Sequence, residues 1–185
     1  MLGKVWLMNS PASAHARSAW ARFLTFAGYL AMLVGAVDPM EGSLLILPGS
    51  GLVALGTWLR RSERRLVVHR ILIFGLIAIG VSALWGMSSM GGIGGKSGYS
   101  MWWGLLILPY LIGWSLGIWA PGSPRWVLLL GIAVSLWYLT LASMIGIHSH
   151  ARQSDPTVLI ILVSLSLLTI GGCLYRLKKP TAKQA

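Results

Sequence analysis

The stretch Leu59-Arg60-Arg61-Ser62-Glu63-Arg64-Arg65-Leu66-Val67-Val68-His69-Arg70 separates two apolar runs and contains five of the chain's 15 lysine and arginine residues. Only 10% of the 185 residues are charged, 56% are hydrophobic, and the mean hydropathy is +0.74. A soluble domain carries roughly a quarter charged residues, so this composition predicts an integral membrane protein. A basic segment between two apolar runs is typical of a cytoplasmic loop in such a protein.

The net charge of +11 predicts lipid contact and not nucleic acid binding. Nucleic acid recognition needs a basic face on a soluble body, whereas these basic residues fall between and beyond the apolar runs. We therefore expect a partner in the bilayer's anionic headgroups, no nucleic acid, no cofactor and no metal ion. The headgroup contacts are predicted at Arg60, Arg61, Arg64, Arg65 and Arg70.

Six apolar runs predict an all-α integral membrane protein with a bundle of six transmembrane helices. Each run is close to the ~20 residues that cross a ~30 Å hydrocarbon core. The predicted spans are 20–37, 39–59, 71–90, 101–120, 124–147 and 156–175. Residues 1–19 then form a cytoplasmic segment, 20–175 the membrane domain and 176–185 a basic cytoplasmic tail. The acid-free start, rich in Arg, Ser and Ala, also fits an organellar transit peptide.

Proline after a short polar residue predicts where four of these helices begin. Proline is favoured at the first helical position, and Ser or Asp before it caps the free N–H groups. The pairs are Ser10 with Pro11, Asp38 with Pro39, Ser123 with Pro124 and Asp155 with Pro156. Glu41 would complete a capping box in the second pair, so helix 2 is predicted to begin at Pro39.

The distribution of positive charge predicts the orientation of the six spans. With a cytoplasmic N-terminus, 13 lysine and arginine residues fall on the inner side, and only Lys96 and Arg152 fall outside. This positive-inside bias favours an even number of spans with both termini in the cytoplasm, typical of a bacterial inner membrane protein.

An internal similarity at an offset of 61 residues predicts a parallel duplication, with spans 2 and 3 matching spans 4 and 5. The run 44–48 (LLILP) recurs at 105–109, and 55–58 (LGTW) resembles 116–119 (LGIW). Chance similarity between two apolar runs is the alternative. Each matching helix carries a proline in its outer half, where a kink and a solute site are expected. The candidate solute site comprises Pro48, Ser50, Pro109, Tyr110 and Ser115.

Polar residues at the outer face supply the ligand types of a metal site, although their spacing is not that of a structural zinc site. This candidate outer polar cluster comprises Asp38, Glu41, His148, His150 and Asp155. The glycine-rich run 90–97 ends in Gly-Lys-Ser but has methionine where a phosphate-binding loop needs its first glycine. A flexible connection is the better interpretation of that run.

Small residues at helical spacing predict close helix contacts, at Ala31 and Gly35 on span 1 and at Gly113 and Gly117 on span 4. Spans 3 to 6 hold no ionisable side chain other than cysteine and tyrosine in their interiors, so catalysis within the bilayer is not predicted. The sequence therefore favours a non-enzymatic accessory or assembly partner of a larger membrane complex. Such a protein would contact other membrane proteins or a second copy of itself. The alternatives are a small carrier for an uncharged or lipidic solute and, as a third class, an outer-face metal or pH sensor.

Overall fold

The structure is a computed structural model that describes residues 11–38, 41–60, 62–91, 105–149 and 156–178, with side chains described outside 11–14, 145–149 and 156–158. The all-helical class is confirmed, because the described ranges form six helices and no strand. These helices are α1 (Pro11–Gly35), α2 (Ser43–Leu59), α3 (Arg64–Ser89), α4 (Leu108–Trp119), α5 (Arg125–Ser149) and α6 (Pro156–Lys178).

Three of the helices are long and apolar enough to cross a membrane: α3 over its whole length, α5 over Arg125–Met144 and α6 over Leu159–Lys178. The helices α2 and α4 are apolar but shorter, with 17 and 12 residues. At 1.5 Å per residue, they extend about 25 Å and about 18 Å. The helix α1 has 25 residues and carries Arg17 and Arg22 in its first half.

The predicted start of the second helix is wrong by four residues. Regular helix begins at Ser43 and not at Pro39, which lies outside the described residues. Asp38 does act as a local cap, since its Oδ1 accepts the Glu41 N–H at 3.4 Å and its carbonyl accepts the Gly42 N–H at 2.7 Å. These bonds close a separate turn that reverses the chain after α1, and α2 starts only beyond it.

The two matching prolines occupy different positions in their helices. Pro48 lies inside α2 as its sixth residue, whereas Pro109 lies in the first turn of α4. A first-turn proline removes an N–H that has no partner in the helix anyway, so Pro109 begins a helix where the sequence predicted a kink. The residues before it, 105–107, form a single 3₁₀ turn.

The chain divides into two compact units, which we describe separately. Unit 1 ends at Ala78 and contains α1, α2 and the first part of α3. Its core contains Tyr29, Met32, Ile46, Val53 and Ile77, each at most 2% exposed.

Unit 2 begins at Ile79 and contains the rest of α3 with α4, α5 and α6. Ile118, Val127 and Cys173 are fully buried in it. Cys173 therefore occupies the position of a small apolar side chain in this core.

Candidate functional site

The tightest packing in unit 1 lies between α1 and α2, where backbone meets backbone. A Cβ placed on Gly28 would lie 2.5 Å from the Gly49 carbonyl oxygen, and one on Gly49 would lie 2.8 Å from the Gly28 carbonyl oxygen. Gly35 faces Gly42 in the same way, at 2.5 Å from the carbonyl oxygen. Glycine is required at these points because any side chain would force the two helices apart.

These contacts follow a seven-residue register. Gly28 and Gly35 on α1 oppose Gly49 and Gly42, and a Cβ on Gly56 would lie 2.8 Å from the Ala21 carbonyl oxygen, one further step along. The partner numbers fall as the α1 numbers rise, so α1 and α2 run antiparallel. Seven residues are close to two helical turns, which keeps every contact on one face of each helix.

Both residues predicted for helix packing on α1 lie at this interface. A Cβ on Gly49 would lie 3.0 Å from the Ala31 Cβ, and Gly35 contacts the turn at Gly42 and the side chain of Ile46. On α4, Gly113 and Gly117 are buried, and the Gly117 carbonyl accepts the Ser123 hydroxyl at 3.5 Å. All four residues therefore lie inside their own units.

Arg70 lies in the interior of unit 1, where only 5% of its surface is exposed. Its guanidinium Nη2 donates a hydrogen bond to the Tyr29 hydroxyl, and its Cζ lies 5.4 Å from the centroid of the Tyr29 ring. The predicted headgroup contact needs an exposed side chain, so we correct the assignment of Arg70. It connects α3 to α1 through a charge-assisted hydrogen bond and a cation–π contact.

The other described arginines of the basic stretch do reach the surface. Arg60, Arg64 and Arg65 are all exposed, and Arg61 lies outside the described residues. Arg60 ends α2, where its N–H donates to the Gly56 carbonyl at 3.1 Å. Arg64 and Arg65 begin α3, so three cations lie around one short connection at one end of unit 1.

The residues of the candidate solute site are divided between the two units. In unit 1, Pro48 is exposed and the buried Ser50 donates its hydroxyl to the Leu47 carbonyl at 2.8 Å. In unit 2, Tyr110 is 3% exposed and packs against Gly80, where a Cβ would meet the Tyr110 backbone. Pro109 precedes it at the start of α4 and is half-buried.

Ser115, the fifth residue of that candidate site, takes part in a hydrogen bond between helices. The Thr169 hydroxyl on α6 donates to Ser115 Oγ on α4 at 2.8 Å, and both residues are less than 5% exposed. The Thr169 hydroxyl also lies 2.8 Å from the Leu165 carbonyl of its own helix. The hydroxyls of Ser50 and Ser115 thus each form a hydrogen bond within their own unit.

The residues of the outer polar cluster are divided between the two units, and two of them lie outside the described residues. Asp38 and Glu41 are exposed in unit 1 and belong to the turn before α2. His148 lies near the end of α5, in unit 2, and its side chain is among those not described, while His150 and Asp155 lie outside the described residues. Among the described residues no group of three His, Cys, Asp or Glu side chains could hold a metal ion.

One face of α1 presents large apolar side chains to the surroundings of unit 1. Its members are spaced three or four residues apart and are 47–63% exposed: Trp20, Phe23, Phe26, Leu30 and Val34. We call these five residues the aromatic face. The Trp20 and Phe23 rings meet edge to face with centroids 6.0 Å apart. Gly28 and Gly35 occupy the opposite side of the same helix, so α1 packs closely on one side and has exposed apolar side chains on the other.

Sequence reasoning missed three features of these sites. The glycines at 42, 49 and 56 show the seven-residue period in the sequence, but the prediction uses a spacing of four, on spans 1 and 4, and leaves out the glycines of span 2. Tyr29 and Thr169 carry no pattern of their own, because a single polar atom in an apolar run gives no indication of its partner. Only the packing of α1 on α3, and of α4 on α6, identifies these partners.

Comparison of the chain with protein-family models, with curated proteins and with solved structures finds no match.

Proposed function

We propose that the chain is a six-span protein of a bacterial inner membrane, with both termini cytoplasmic, that serves as a non-enzymatic accessory or assembly partner of a larger membrane complex. The observation that carries the proposal is the two-sided character of α1. Its glycine side packs against α2, and the side chains of its aromatic face are 47–63% exposed. A rigid hairpin that displays aromatic side chains is suited to packing against the helix of another subunit.

Pre-organisation of α1 favours the binding of a partner helix. Backbone contact at Gly28 and Gly35 leaves α1 little freedom to rotate against α2, so the direction of the aromatic face is set before a partner arrives. Helix association in a bilayer gains little from the hydrophobic effect and depends on packing, so a surface that is already ordered loses less entropy on binding. The edge-to-face contact of Trp20 and Phe23 orders two of its largest side chains.

Site-specific photo-crosslinking in the native membrane tests this proposal. A benzophenone amino acid at Phe23 or at Leu30 should give the same protein adduct, identified by mass spectrometry as a subunit of one complex. The matched control is Leu168 on α6, which is exposed to a similar degree, 57% against 60% for Phe23. Adducts with lipid alone from both α1 positions would refute the assembly role.

The orientation has its own test, because the basic connection between α2 and α3 is predicted to be cytoplasmic. A reporter enzyme active only outside the cytoplasm, fused after Ser62, should be inactive, and a cytoplasmic reporter at the same position should be active. The reverse pattern would overturn the topology, whatever the outcome of the cross-linking.

A small carrier for an uncharged or lipidic solute is the second candidate, and the lengths of α2 and α4 favour it. They are the two shorter apolar helices, and the matching prolines lie in both. Short or proline-interrupted helices in corresponding halves often mark a transporter's binding site.

Cysteine labelling separates the carrier from the assembly partner. Ser50→Cys and Ser115→Cys, each made in a variant without Cys173, should react with a membrane-impermeant thiol reagent if a water-filled site reaches them. Both serines are less than 5% exposed, so the packing within each unit predicts protection at both positions. Reaction at both positions would favour the carrier.

A further inference from the structure

We propose that unit 1 carries a site for one anionic phospholipid on the outward side of α3. Arg64 and Arg65 bind the lipid phosphate, and Val68 and Leu72 line the path of an acyl chain. This is a specific binding site, in contrast to a general electrostatic attraction between the basic stretch and a charged bilayer. Only Arg64 and Arg65 bind the phosphate at this site. Arg70 is buried and Arg60 does not line the groove, so neither takes part.

The buried side of α3 determines which residues face outward. Arg70, Ile73 and Ile77 are at most 5% exposed and recur at steps of three and four, so they form one stripe that faces the interior of unit 1. The hydrogen bond from Arg70 to Tyr29 holds this rotation of the helix. At 100° per residue, positions 64, 65, 68 and 72 all lie within about 70° of the direction opposite to that stripe.

A shallow groove of about 490 Å³, wide open to the surroundings, lies along that opposite side. It is lined by Arg64, Arg65, Val68, His69 and Leu72, all on the first two to three turns of α3. Val68 is 47% exposed and Leu72 is 62% exposed, so the apolar part of the groove is open to the surroundings.

The order of these side chains along the helix matches the order of chemical groups in a phospholipid. The two guanidinium groups come first, and Leu72 follows Arg65 by seven residues, about 10 Å along the helix axis. A guanidinium binds a phosphate through paired hydrogen bonds, and His69 beside it offers a further ring nitrogen. An acyl chain attached to that phosphate would continue over Val68 and Leu72.

This combination selects the ligand. A free phosphate ion would gain nothing from the apolar half of the groove, and an uncharged lipid would gain nothing from two arginines. A zwitterionic phospholipid carries a positive group that two arginines disfavour. The remaining class is a phospholipid with net negative charge, and phosphatidylglycerol is a suitable probe.

Native mass spectrometry of the full chain in mild detergent, titrated with phosphatidylglycerol, tests the site. We expect one tightly retained lipid, and retention at least tenfold weaker for phosphatidylcholine of the same chain length. A basic side chain near an anionic lipid contributes about 1 kcal/mol, so Arg64→Gln and Arg65→Gln should each weaken retention about fivefold, and the double variant about thirtyfold.

Arg60→Gln is the matched control for charge, since Arg60 is also exposed and close in sequence but does not line the groove. It should change retention less than twofold. Leu72→Gln tests the acyl path and should weaken retention, whereas Ile71→Gln, at 54% exposure outside the groove, should not. Unchanged melting temperatures of the arginine variants would show that their loss of lipid is not a loss of folding.

Three results would each overturn the proposal. Equal losses from Arg60, Arg64 and Arg65 would show a diffuse charge effect without a site. Displacement of the lipid by inorganic phosphate at equal concentration would show a free-anion site. Equal retention of phosphatidylcholine would show that net charge is not recognised.

Discussion

The contact between Gly28 and Gly49 gives the most quantitative prediction for this protein. An added Cβ on Gly28 would lie 2.5 Å from the Gly49 carbonyl oxygen and 2.8 Å from the Val53 Cγ2. A carbon normally approaches a carbonyl oxygen to about 3.3 Å. In Gly28→Ala, α1 and α2 must therefore separate locally by about 0.8 Å. A gap of that size loses a quarter to a half of the dispersion attraction at the contact.

The expected cost is that of inserting a methyl group into a packed interface, about 1–3 kcal/mol. Alanine also raises helix propensity by about 1 kcal/mol relative to glycine, which would partly hide this cost. Gly75→Ala is the matched control, because Gly75 lies in a helix of the same unit and an added Cβ there meets nothing within 4 Å. Both variants gain the higher helix propensity of alanine. The difference between their free energies of unfolding therefore measures the packing cost alone.

Equilibrium unfolding in mixed micelles of mild detergent and dodecyl sulfate, followed by far-ultraviolet circular dichroism, provides the measurement. We expect Gly75→Ala to unfold at a higher dodecyl sulfate fraction than the unmodified protein. Gly28→Ala should have an unfolding equilibrium constant about 5-fold to about 150-fold larger than that of Gly75→Ala. The reasoning is refuted if Gly28→Ala is as stable as Gly75→Ala.

The double variant Gly28→Ala with Gly49→Ala extends this test. The same separation of α1 and α2 relieves both clashes, since each added Cβ meets the other glycine's carbonyl oxygen. The combined loss should therefore be smaller than the sum of the two single losses. Strict additivity would indicate that the two glycines do not share one contact.

Two further substitutions test the polar contacts between helices. Tyr29→Phe removes the hydroxyl that accepts the Arg70 hydrogen bond, and since both residues are buried it should destabilise the protein by about 1–3 kcal/mol in the same unfolding assay. The equivalent change at Tyr175, which is 64% exposed, should have little effect, and equal losses would refute the role of the bond. Thr169→Val removes the bond between α4 and α6 and should cost about 1 kcal/mol more than Thr140→Val. Thr140 is exposed and bonds only a carbonyl of its own helix in the described contacts, so equal effects would show that the interhelix bond contributes nothing.

Local chemistry in the sequence determined the all-helical fold class and the start of α5 to within one residue. Apolar runs must satisfy their backbone hydrogen bonds internally, which predicts helices, and proline after a polar residue predicts where they begin. The helix α5 begins at Arg125, one residue from its predicted start, whereas α3 begins at Arg64, seven residues before the predicted span 71–90. The residues before Pro11 and before Pro156 lie outside the described ranges, so the starts predicted there stay predictions. The turn at Asp38 was predicted as a cap but not as a separate turn, because a capping pattern does not state how far the regular helix lies beyond it.

Only the tertiary structure decided which side of each helix is buried. Arg70 and Arg65 are the same residue type in one basic stretch, yet Arg70 lies against Tyr29 inside unit 1 and Arg65 is exposed. Nothing in the local sequence distinguishes them, because burial depends on the partner that the other helix presents. The seven-residue glycine register was present in the sequence all along. It indicates a helix contact only when α2 is known to fold back against α1. A close approach involves the backbones of two helices, and the sequence of one helix does not identify the other.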